Sequence, residues 1–205
     1  RSFPDENIQL EPNARWVRNS KTVRKLDCCA ENDALYLAHA KKENTLDLVE
    51  ALIGKNIKLF GSQLFMKPPG GVEKPYHQDS AYFTIEPMSL VTCWTALDDV
   101  TVENGAMHYR KGAFELGDLN HFETNLPLFS KQLSTELDPV RFPEVPAVIK
   151  RGGAAIHHIQ TPHRAGPNNT DHDRRAFVCN YQGTRAKVDE RRKAAHDAYT
   201  AKIYQ

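Results

Sequence analysis

Apolar positions recur along this chain first at helical spacing and later at the spacing of strands. Between residues 31 and 42 the apolar side chains follow a helical period, which predicts a first helix. A second helix is predicted to begin after Asn44 or Thr45, either of which can cap it, and to end at Gly54. The apolar face of this second helix consists of Leu46, Leu48, Val49, Leu52 and Ile53. Residues 1–27 are polar and interrupted by prolines, so extended segments and loops are predicted there, with Trp16 as a packing anchor.

Short segments rich in β-branched and aromatic residues follow the helices. The clearest predicted strand is 90–97, and the Asn104-Gly105 dipeptide favours a hairpin after which 107–110 runs back antiparallel. The other predicted strands are 57–60, 63–67, 145–150, 154–159 and 176–181. This order of elements predicts a mainly β fold, an antiparallel sandwich or barrel flanked by helices.

Two segments lie outside this predicted sheet. Residues 112–146 contain several prolines and glycines without sustained periodicity, which predicts a long loop over the functional site considered below. The charged, alanine-bearing tail, 188–204, is predicted to form a helix on the outside of the barrel. With 205 residues, the chain is expected to fold as one domain, 1–205.

Composition narrows the range of partners. The 27 basic residues balance 26 acidic ones, so no global field attracts nucleic acid or an anionic membrane. The sequence contains no apolar run long enough to cross a bilayer. Four cysteines without a C-x-x-C pair favour a reducing, intracellular compartment, and we expect the cytoplasm. Because the chain begins at Arg1 without methionine, we expect a processed or partial chain whose upstream targeting signal is not visible.

A histidine and an aspartate two residues apart are the first candidate metal ligands. On an extended backbone, His77 and Asp79 point to the same face and can offer one imidazole nitrogen and one carboxylate oxygen to one ion. This pair is two-thirds of the 2-His-1-carboxylate set that binds Fe(II) and leaves positions open for substrates. Alone, the pair is equally typical of a solvated strand end.

A third ligand and an anion-binding arginine follow downstream. His163 lies beside a Gly-Pro-Asn turn, where a loop can return its side chain over the sheet, while His157 and His158 are rivals for the same role. Arg174 and Arg175 open the last strand, and only one of them can point inward. A buried arginine requires a fixed anion, and a carboxylate suits its planar fork. A metal with open positions near such an arginine is suited to a 2-oxo acid cosubstrate.

The order His77-Gln78-Asp79, Trp94, Asn104-Gly105, His163-x-x-Gly166-x-Asn168 and Arg174 resembles the phytanoyl-CoA dioxygenase family. These proteins are Fe(II)- and 2-oxoglutarate-dependent oxygenases on a double-stranded β-helix, a jelly-roll or cupin-like barrel. The resemblance spans about residues 26–181. It implies a hydroxylase that acts on a small molecule or acyl derivative with O2 and releases succinate and CO2. Related halogenases have a small residue at the position of Asp79, so the aspartate favours hydroxylation or another oxidative outcome, such as desaturation or ring closure.

The resemblance also implies roles for individual residues. His77, Asp79 and His163 would ligate iron, and Arg174 would bind the 5-carboxylate of 2-oxoglutarate. Gln78 and Trp94 match positions that contact the cosubstrate. For Lys67, Gln63 and Tyr82, which flank the metal pair, facing the cosubstrate and facing solvent remain equal alternatives. The residues to which the resemblance assigns these roles are His77, Asp79, His163, Arg174, Gln78 and Trp94.

Two departures from the family pattern concern the cosubstrate and the substrate. The usual His-Gly-Ser-Gly motif is His163-Arg164-Ala165-Gly166, so Ala165 lacks the hydroxyl that would bind the cosubstrate. The usual Pro-Gly-Ser-His motif is replaced by residues 110–114, which leaves the substrate open. Arg110, Lys111 and Arg164 could steer an anionic substrate or form an ordinary charged surface.

Two further functions remain open at this point. A zinc hydrolase accepts the same His/Asp/His ligands but has no use for an inward Arg174. A metal- and 2-oxoglutarate-binding sensor or pseudoenzyme would bind both groups without oxygenation, and the alanine at position 165 permits that alternative. Formation of succinate distinguishes the three.

Overall fold

The computed structural model describes residues 3–10, 23–126 and 129–203. The predicted packing anchor Trp16 lies outside these residues. The described residues form four α-helices and fourteen strands. The helices are Cys29–Asn32 (α1), Ala34–Ala40 (α2), Glu43–Ile53 (α3) and Glu190–Ile203 (α4). The strands are Ile8–Leu10 (β1), Val23–Asp27 (β2), Ile57–Lys67 (β3), Lys74–His77 (β4), Ile85–Glu86 (β5), Leu90–Ala96 (β6), Met107–Arg110 (β7), His121–Leu126 (β8), Phe129–Leu133 (β9), Glu144–Pro146 (β10), Ala154–His158 (β11), His163–Ala165 (β12), Arg174–Gly183 (β13) and Lys187–Val188 (β14).

The predicted helices are present, but the first of them is divided into two. The single helix expected over 31–42 is two helices, because Asp33 is extended (φ −145°, ψ 129°) and its carboxylate caps α2 by accepting a 2.8 Å hydrogen bond from the Leu35 amide. Helix α3 begins at Glu43, earlier than the expected cap at Asn44 or Thr45, and it ends at Gly54 as predicted. Gly54 adopts φ +89°, which glycine reaches without strain.

Two sheets pack face to face. The major sheet has the order β1-β2-β3-β13-β6-β11, and the minor sheet has the order β10-β7-β12-β4. Trp94, Ala176 and Val178 from the major sheet pack with Met107 from the minor sheet. Helices α1–α3 cover the opposite face of the major sheet, where Val49 contacts the core around Phe177. The structure therefore confirms the expected β sandwich with flanking helices.

The central strands of the major sheet are buried on both faces. Every residue of β6 is buried, and only Arg175 among the ten residues of β13 is exposed. Burial on both sides explains why β6 reads in the sequence as a continuous apolar and β-branched run rather than as an alternating one. Each large apolar side chain buried in this way contributes about 1.5–3 kcal/mol to folding.

Three strand predictions were wrong in detail. The expected strands 57–60 and 63–67 are one strand, β3, and a shift of register between Asn180 and Tyr181 leaves Phe60 as the extra, unpaired residue. Strand β7 does not pair with β6 after the Asn104-Gly105 turn. It crosses to the minor sheet and pairs with β10 and β12. The turn thus connects two sheets instead of closing a hairpin.

The segment 112–146 is more ordered than its composition predicts. It contains a short 3-10 helix, Ala113–Leu116, the β8–β9 hairpin and strand β10. The predicted C-terminal helix is confirmed as α4, which the Asp189 carboxylate caps by accepting bonds from the amides of Arg191 and Arg192. No helix among the described ranges has both the length and the apolarity that a bilayer crossing needs.

Candidate active site

Two neighbouring strands of the minor sheet bring the predicted metal ligands together. His77 at the end of β4 lies directly opposite His163 at the start of β12. Asp79 opens a 3-10 helix, Asp79–Ala81, immediately after β4, and Gln78 between them is still extended. Asp79 Oδ1 lies 3.6 Å from His77 Nε2 and 3.8 Å from His163 Nε2. One ligand atom from each of the three residues falls within 4.8 Å of the others, which is a spacing that a single ion can bridge.

Backbone carbonyls orient both imidazole rings. His77 Nδ1 donates to the Pro75 carbonyl at 3.0 Å, and His163 Nδ1 donates to the Thr161 carbonyl at 2.9 Å. These bonds leave the Nε2 lone pairs directed at Asp79, as in metal-binding histidines whose other nitrogen is held by a carbonyl. His77 Nε2 is buried and has no hydrogen-bond partner among the described residues. Burial lowers the pKa of His77 to about 4 and that of His163 well below its usual value, so both rings are neutral at neutral pH.

A hydrogen-bonded chain fixes the Asp79 carboxylate. Its Oδ2 accepts bonds from Thr92 Oγ1 at 2.9 Å and His157 Nε2 at 3.3 Å, which leaves Oδ1 facing the two ligand histidines. Tyr109 and Asn180 extend the chain at the far sides of His157 and Thr92. Burial alone would raise the pKa of Asp79, but His163 and the bond from His157 hold it well below its usual value. His157 is therefore a positioning residue for Asp79.

Replacement of His157 by leucine is expected to weaken metal binding about 10- to 100-fold, the usual cost of losing a partner that orients a ligand. The reason is that Asp79 loses one of the two bonds that turn its Oδ1 toward His77 and His163. Titration with Mn(II), followed by electron paramagnetic resonance, measures the change. His158→Leu is the matched control, because His158 packs on Phe114 and has no contact with Asp79. Equal affinities of His157→Leu and the wild type would exclude this role.

Arg174, the predicted anion-binding arginine, is buried in the barrel. It is 4% exposed, its guanidinium carbon lies 5.0 Å from the centroid of the Trp94 ring, and its Nε has no hydrogen-bond partner among the described residues. Burial lowers the pKa of Arg174 to about 10. Arg175 points to the other face and pairs with Asp98 at 2.7 Å. Strand alternation thus selects Arg174 as the inward arginine, as expected.

One cavity of about 380 Å³ contains the metal triad and Arg174. This volume lies near the lower end of the range for small-molecule sites. Trp94, which was predicted to contact the cosubstrate, lines this cavity, as do Gln63 and Tyr82, for which facing the cosubstrate and facing solvent were equal alternatives. Gln63 lines the same cavity as Ala165, which presents only a methyl group. Contact of these side chains with a cosubstrate remains a prediction.

Gln78 does not line the cavity, which corrects the predicted cosubstrate contact. It is completely buried on the other side of the strand. Its amide nitrogen donates to the carbonyls of Gly117 and Gln160, and its amide oxygen accepts from the Leu119 amide. Gln78 therefore holds the 117–119 loop to the barrel, with all of its polar atoms in use.

Gln78→Ala is expected to lower the free energy of unfolding by about 3 kcal/mol, because three partly buried backbone groups lose their hydrogen-bond partner. The affinity of the folded variant for 2-oxoglutarate is expected to stay unchanged. Gln63→Ala is the matched control with the opposite expected pattern, since Gln63 lines the cavity and makes no such bonds. Urea unfolding and cosubstrate titration of both variants measure the two effects. A weaker cosubstrate affinity in Gln78→Ala at normal stability would contradict the structural role.

The remaining cationic candidates do not line the cavity. Lys67 lies on the inward face opposite Arg174, but its ammonium group donates to the Gly166 carbonyl at the rim. Arg164 pairs with Glu144 and Glu73, and Arg110 stacks on Tyr76. Lys111 is exposed on the surface. The predicted cosubstrate contact of Lys67 is thus not supported, because its charge is already bound to the backbone.

The sequence did not indicate that Thr92 and Lys74 line the cavity, or that His157 holds Asp79 in position. Thr92 could have been found, because it lies two residues before Trp94 on the same strand and therefore on the same face. His157 was considered as a rival ligand, and its actual bond to Asp79 depends on the pairing of β11 with β6, which only the fold reveals. Lys74, three residues before His77, lines the cavity and carried no sequence signal.

Comparison with known proteins gives a family match over most of the chain. The model of the family "Phytanoyl-CoA dioxygenase (PhyH)" matches residues 4–176. A probable alpha-ketoglutarate-dependent hypophosphite dioxygenase of Stutzerimonas stutzeri is 28% identical over 80% of this chain and 59% of its own. The human peroxisomal phytanoyl-CoA dioxygenase is 26% identical over 82% of this chain and 52% of its own. The chain thus spans between half and three-fifths of the length of these curated relatives.

Solved structures share the fold. The non-heme alpha-ketoglutarate-dependent epimerase SnoN from nogalamycin biosynthesis superposes with a TM-score of 0.70 at 25% identity, covering 85% of this chain and 68% of SnoN. EvdO2 from Micromonospora carbonacea gives a TM-score of 0.65 at 25% identity, covering 80% of this chain and 68% of its own. These similarities confirm the predicted double-stranded β-helix.

Proposed function

The chain belongs to the phytanoyl-CoA dioxygenase family, and from that premise we propose that it is an Fe(II)- and 2-oxoglutarate-dependent dioxygenase that hydroxylates a C–H bond of a small molecule. The observation that carries this proposal is a pair of buried polar atoms that the folded chain leaves unused in one cavity. His77 Nε2 and Arg174 Nε have no hydrogen-bond partner among the described residues. Such atoms are costly to bury unless a ligand satisfies them.

The donor set fits the proposed groups. Two neutral imidazoles and one ionised carboxylate form the facial set that Fe(II) oxygenases use. We propose His77, Asp79 and His163 as the residues that hold Fe(II), and Arg174 as the residue that binds the far carboxylate of 2-oxoglutarate. When bound, iron and 2-oxoglutarate supply an oxidative decarboxylation with O2 that releases succinate and CO2 and oxidises the substrate.

The protein residues prepare the site for this chemistry. Thr92 and His157 hold Asp79 so that one oxygen is directed at both imidazoles. Trp94 covers the face of the Arg174 guanidinium and keeps it dry and directed into the cavity. A buried, preorganised cation attracts a carboxylate more strongly than a cation that is surrounded by water.

Anaerobic addition of Fe(II) and then 2-oxoglutarate tests this proposal. The expected result is the visible charge-transfer band of an Fe(II)–2-oxo acid chelate, followed by succinate formation when O2 is admitted. Iron binding without the band would reject the cosubstrate assignment and favour a zinc hydrolase on the same barrel. A band without succinate, even with a substrate library, would favour the sensor or pseudoenzyme.

The names of these relatives do not identify the substrate of this chain. One relative is named for hypophosphite and another for phytanoyl-CoA, which share little chemistry. We propose a single catalytic domain over 1–205 and a reducing, intracellular compartment. The free thiols of the four cysteines are consistent with that compartment.

A further inference from the structure

The cavity contains more positive charge than iron and the cosubstrate require. Its described lining includes four basic side chains and a single carboxylate, Asp79. The basic side chains are Arg24, Lys25, Lys74 and Arg174. In the proposed complex, the charges of Fe(II) and Arg174 balance those of Asp79 and the two carboxylates of 2-oxoglutarate. Lys25 is balanced by Asp27 at 2.7 Å, and Arg24 has interactions of its own with the protein. The positive charge of Lys74 remains without a counterpart.

Lys74 is directed at the reacting centre. It lies on β4, three residues before His77, and opposite Ala165, which lines the cavity two residues after His163. Its ammonium nitrogen lies 5.3 Å from the centroid of the Tyr82 ring. The same ring stands edge-on to His77, with centroids 6.1 Å apart. A molecule on the Tyr82 face could therefore meet Lys74 at one end and the metal centre at the other.

Lys74 has no anionic partner of its own. Among the residues that the structure describes, no carboxylate lies within ion-pair distance of it, and the ammonium donates no hydrogen bond. Burial, opposed by Asp79 and reinforced by the neighbouring Arg24 and Lys25, lowers the pKa of Lys74 to about 8. An unpaired cation beside other cations in a cavity is unfavourable until an anion binds there.

The position of Lys74 differs from that of the cosubstrate anchor. Asp79, Arg24 and Lys25 are the charges that act on Lys74, whereas Asp98 is the one that acts on Arg174. Lys74 projects from the minor sheet and Arg174 from the major sheet. The cavity thus offers two separate cationic positions, one for the far carboxylate of 2-oxoglutarate and one for another anion.

We propose that Lys74 binds an anionic group of the substrate, so that the enzyme acts on a small molecule bearing a carboxylate, phosphate or phosphonate. This inference rests on the proposed function, because the charge balance assumes Fe(II) and 2-oxoglutarate in the site. Arg24 lines the same part of the cavity and adds to the positive potential there. The residues previously considered for anion steering, Arg110, Lys111 and Arg164, lie outside the cavity and take no part.

Calorimetry on the preformed anaerobic complex of protein, Fe(II) and 2-oxoglutarate tests the proposal. Propionate and methylphosphonate are the probes, one for each anion chemistry, and the chelate band first verifies that iron and cosubstrate are bound. The wild-type complex is expected to bind at least one probe, and Lys74→Met is expected to weaken that binding about 10- to 100-fold, the cost of a lost charge-assisted hydrogen bond. Lys74→Arg retains the charge and is expected to retain binding.

Lys111→Met is the matched control, because it removes an exposed lysine outside the cavity. If neither probe binds the wild-type complex, or if Lys74→Met binds the probe as tightly as the wild type, the proposal is wrong. If Lys74→Met instead loses affinity for 2-oxoglutarate, Lys74 belongs to the cosubstrate position and the proposal is also wrong. Absence of the chelate band in the wild type is a different result, since it rejects the proposed function itself.

Discussion

Asp79→Ala is expected to abolish 2-oxoglutarate turnover, with a loss of about 1,000-fold or more, equivalent to about 4 kcal/mol. Asp79 is the single carboxylate in the described lining of the cavity, and its Oδ1 faces both ligand imidazoles. Alanine removes one of three proposed ligand atoms together with the negative charge that offsets the metal. Succinate formation and Mn(II) affinity measure the two consequences.

The control for this variant is Asp171→Ala, which removes an acid whose side chain is 88% exposed. Thermal unfolding of the metal-free proteins separates loss of the site from loss of the fold. Thr92 and His157 lose a hydrogen-bond acceptor in Asp79→Ala. The free energy of unfolding of this metal-free variant is therefore expected to fall by about 1–3 kcal/mol. Full turnover by a folded Asp79→Ala protein would remove Asp79 from the ligand set.

Arg174→Met is expected to raise the Kd for 2-oxoglutarate about 100-fold or more. Truncating one partner of a buried charge pair costs about 2–5 kcal/mol of binding free energy. The ligand-free protein is expected to remain at least as stable as the wild type. Arg174 is buried without an ion pair among the described residues, so methionine removes a desolvated charge and keeps much of the packing on Trp94. Cosubstrate titration and urea unfolding give the two measurements.

Arg175→Met is the matched control, because Arg175 is the next residue of the same strand and faces solvent in a pair with Asp98. An exposed pair of this kind contributes little, about 1 kcal/mol or less, and cosubstrate affinity is expected to be normal. Arg174 would be a structural residue if Arg174→Met lost several kcal/mol of stability without ligand and kept its affinity for 2-oxoglutarate.

The parts of the site that depend on strand alternation could be predicted from the sequence. Two-residue spacing put His77 and Asp79 on one face, and the same rule distinguished Arg174 from Arg175. Applied consistently, the rule also places Gln78 on the opposite face from its neighbours, where the structure finds it bound to the 117–119 loop. The family resemblance suggested a cosubstrate contact for Gln78, and local geometry would have opposed it.

The parts that depend on distant pairing could not be predicted. The Asn104-Gly105 turn favours a hairpin, but nothing in the local sequence indicates that β7 leaves β6 and joins β12. The break between α1 and α2 arises because Asp33 forms its own cap, which competes with continuation of the helix. The bond between His157 and Asp79 joins residues from two sheets, and no periodicity within one segment encodes it.

The direct pairing of β4 with β12 would link binding of the proposed iron ion to completion of the fold. His77 and His163 share one position of the ladder although they are 86 positions apart along the chain (163 − 77). Closing a loop of that length costs about 4 kcal/mol of chain entropy, so the two imidazoles are not held together in the unfolded chain. A nascent or partly folded chain therefore offers iron a histidine and an aspartate but not the complete site. High-affinity metal capture is thereby restricted to molecules whose barrel has closed, which keeps a redox-active ion away from chains that are still exposed to damage.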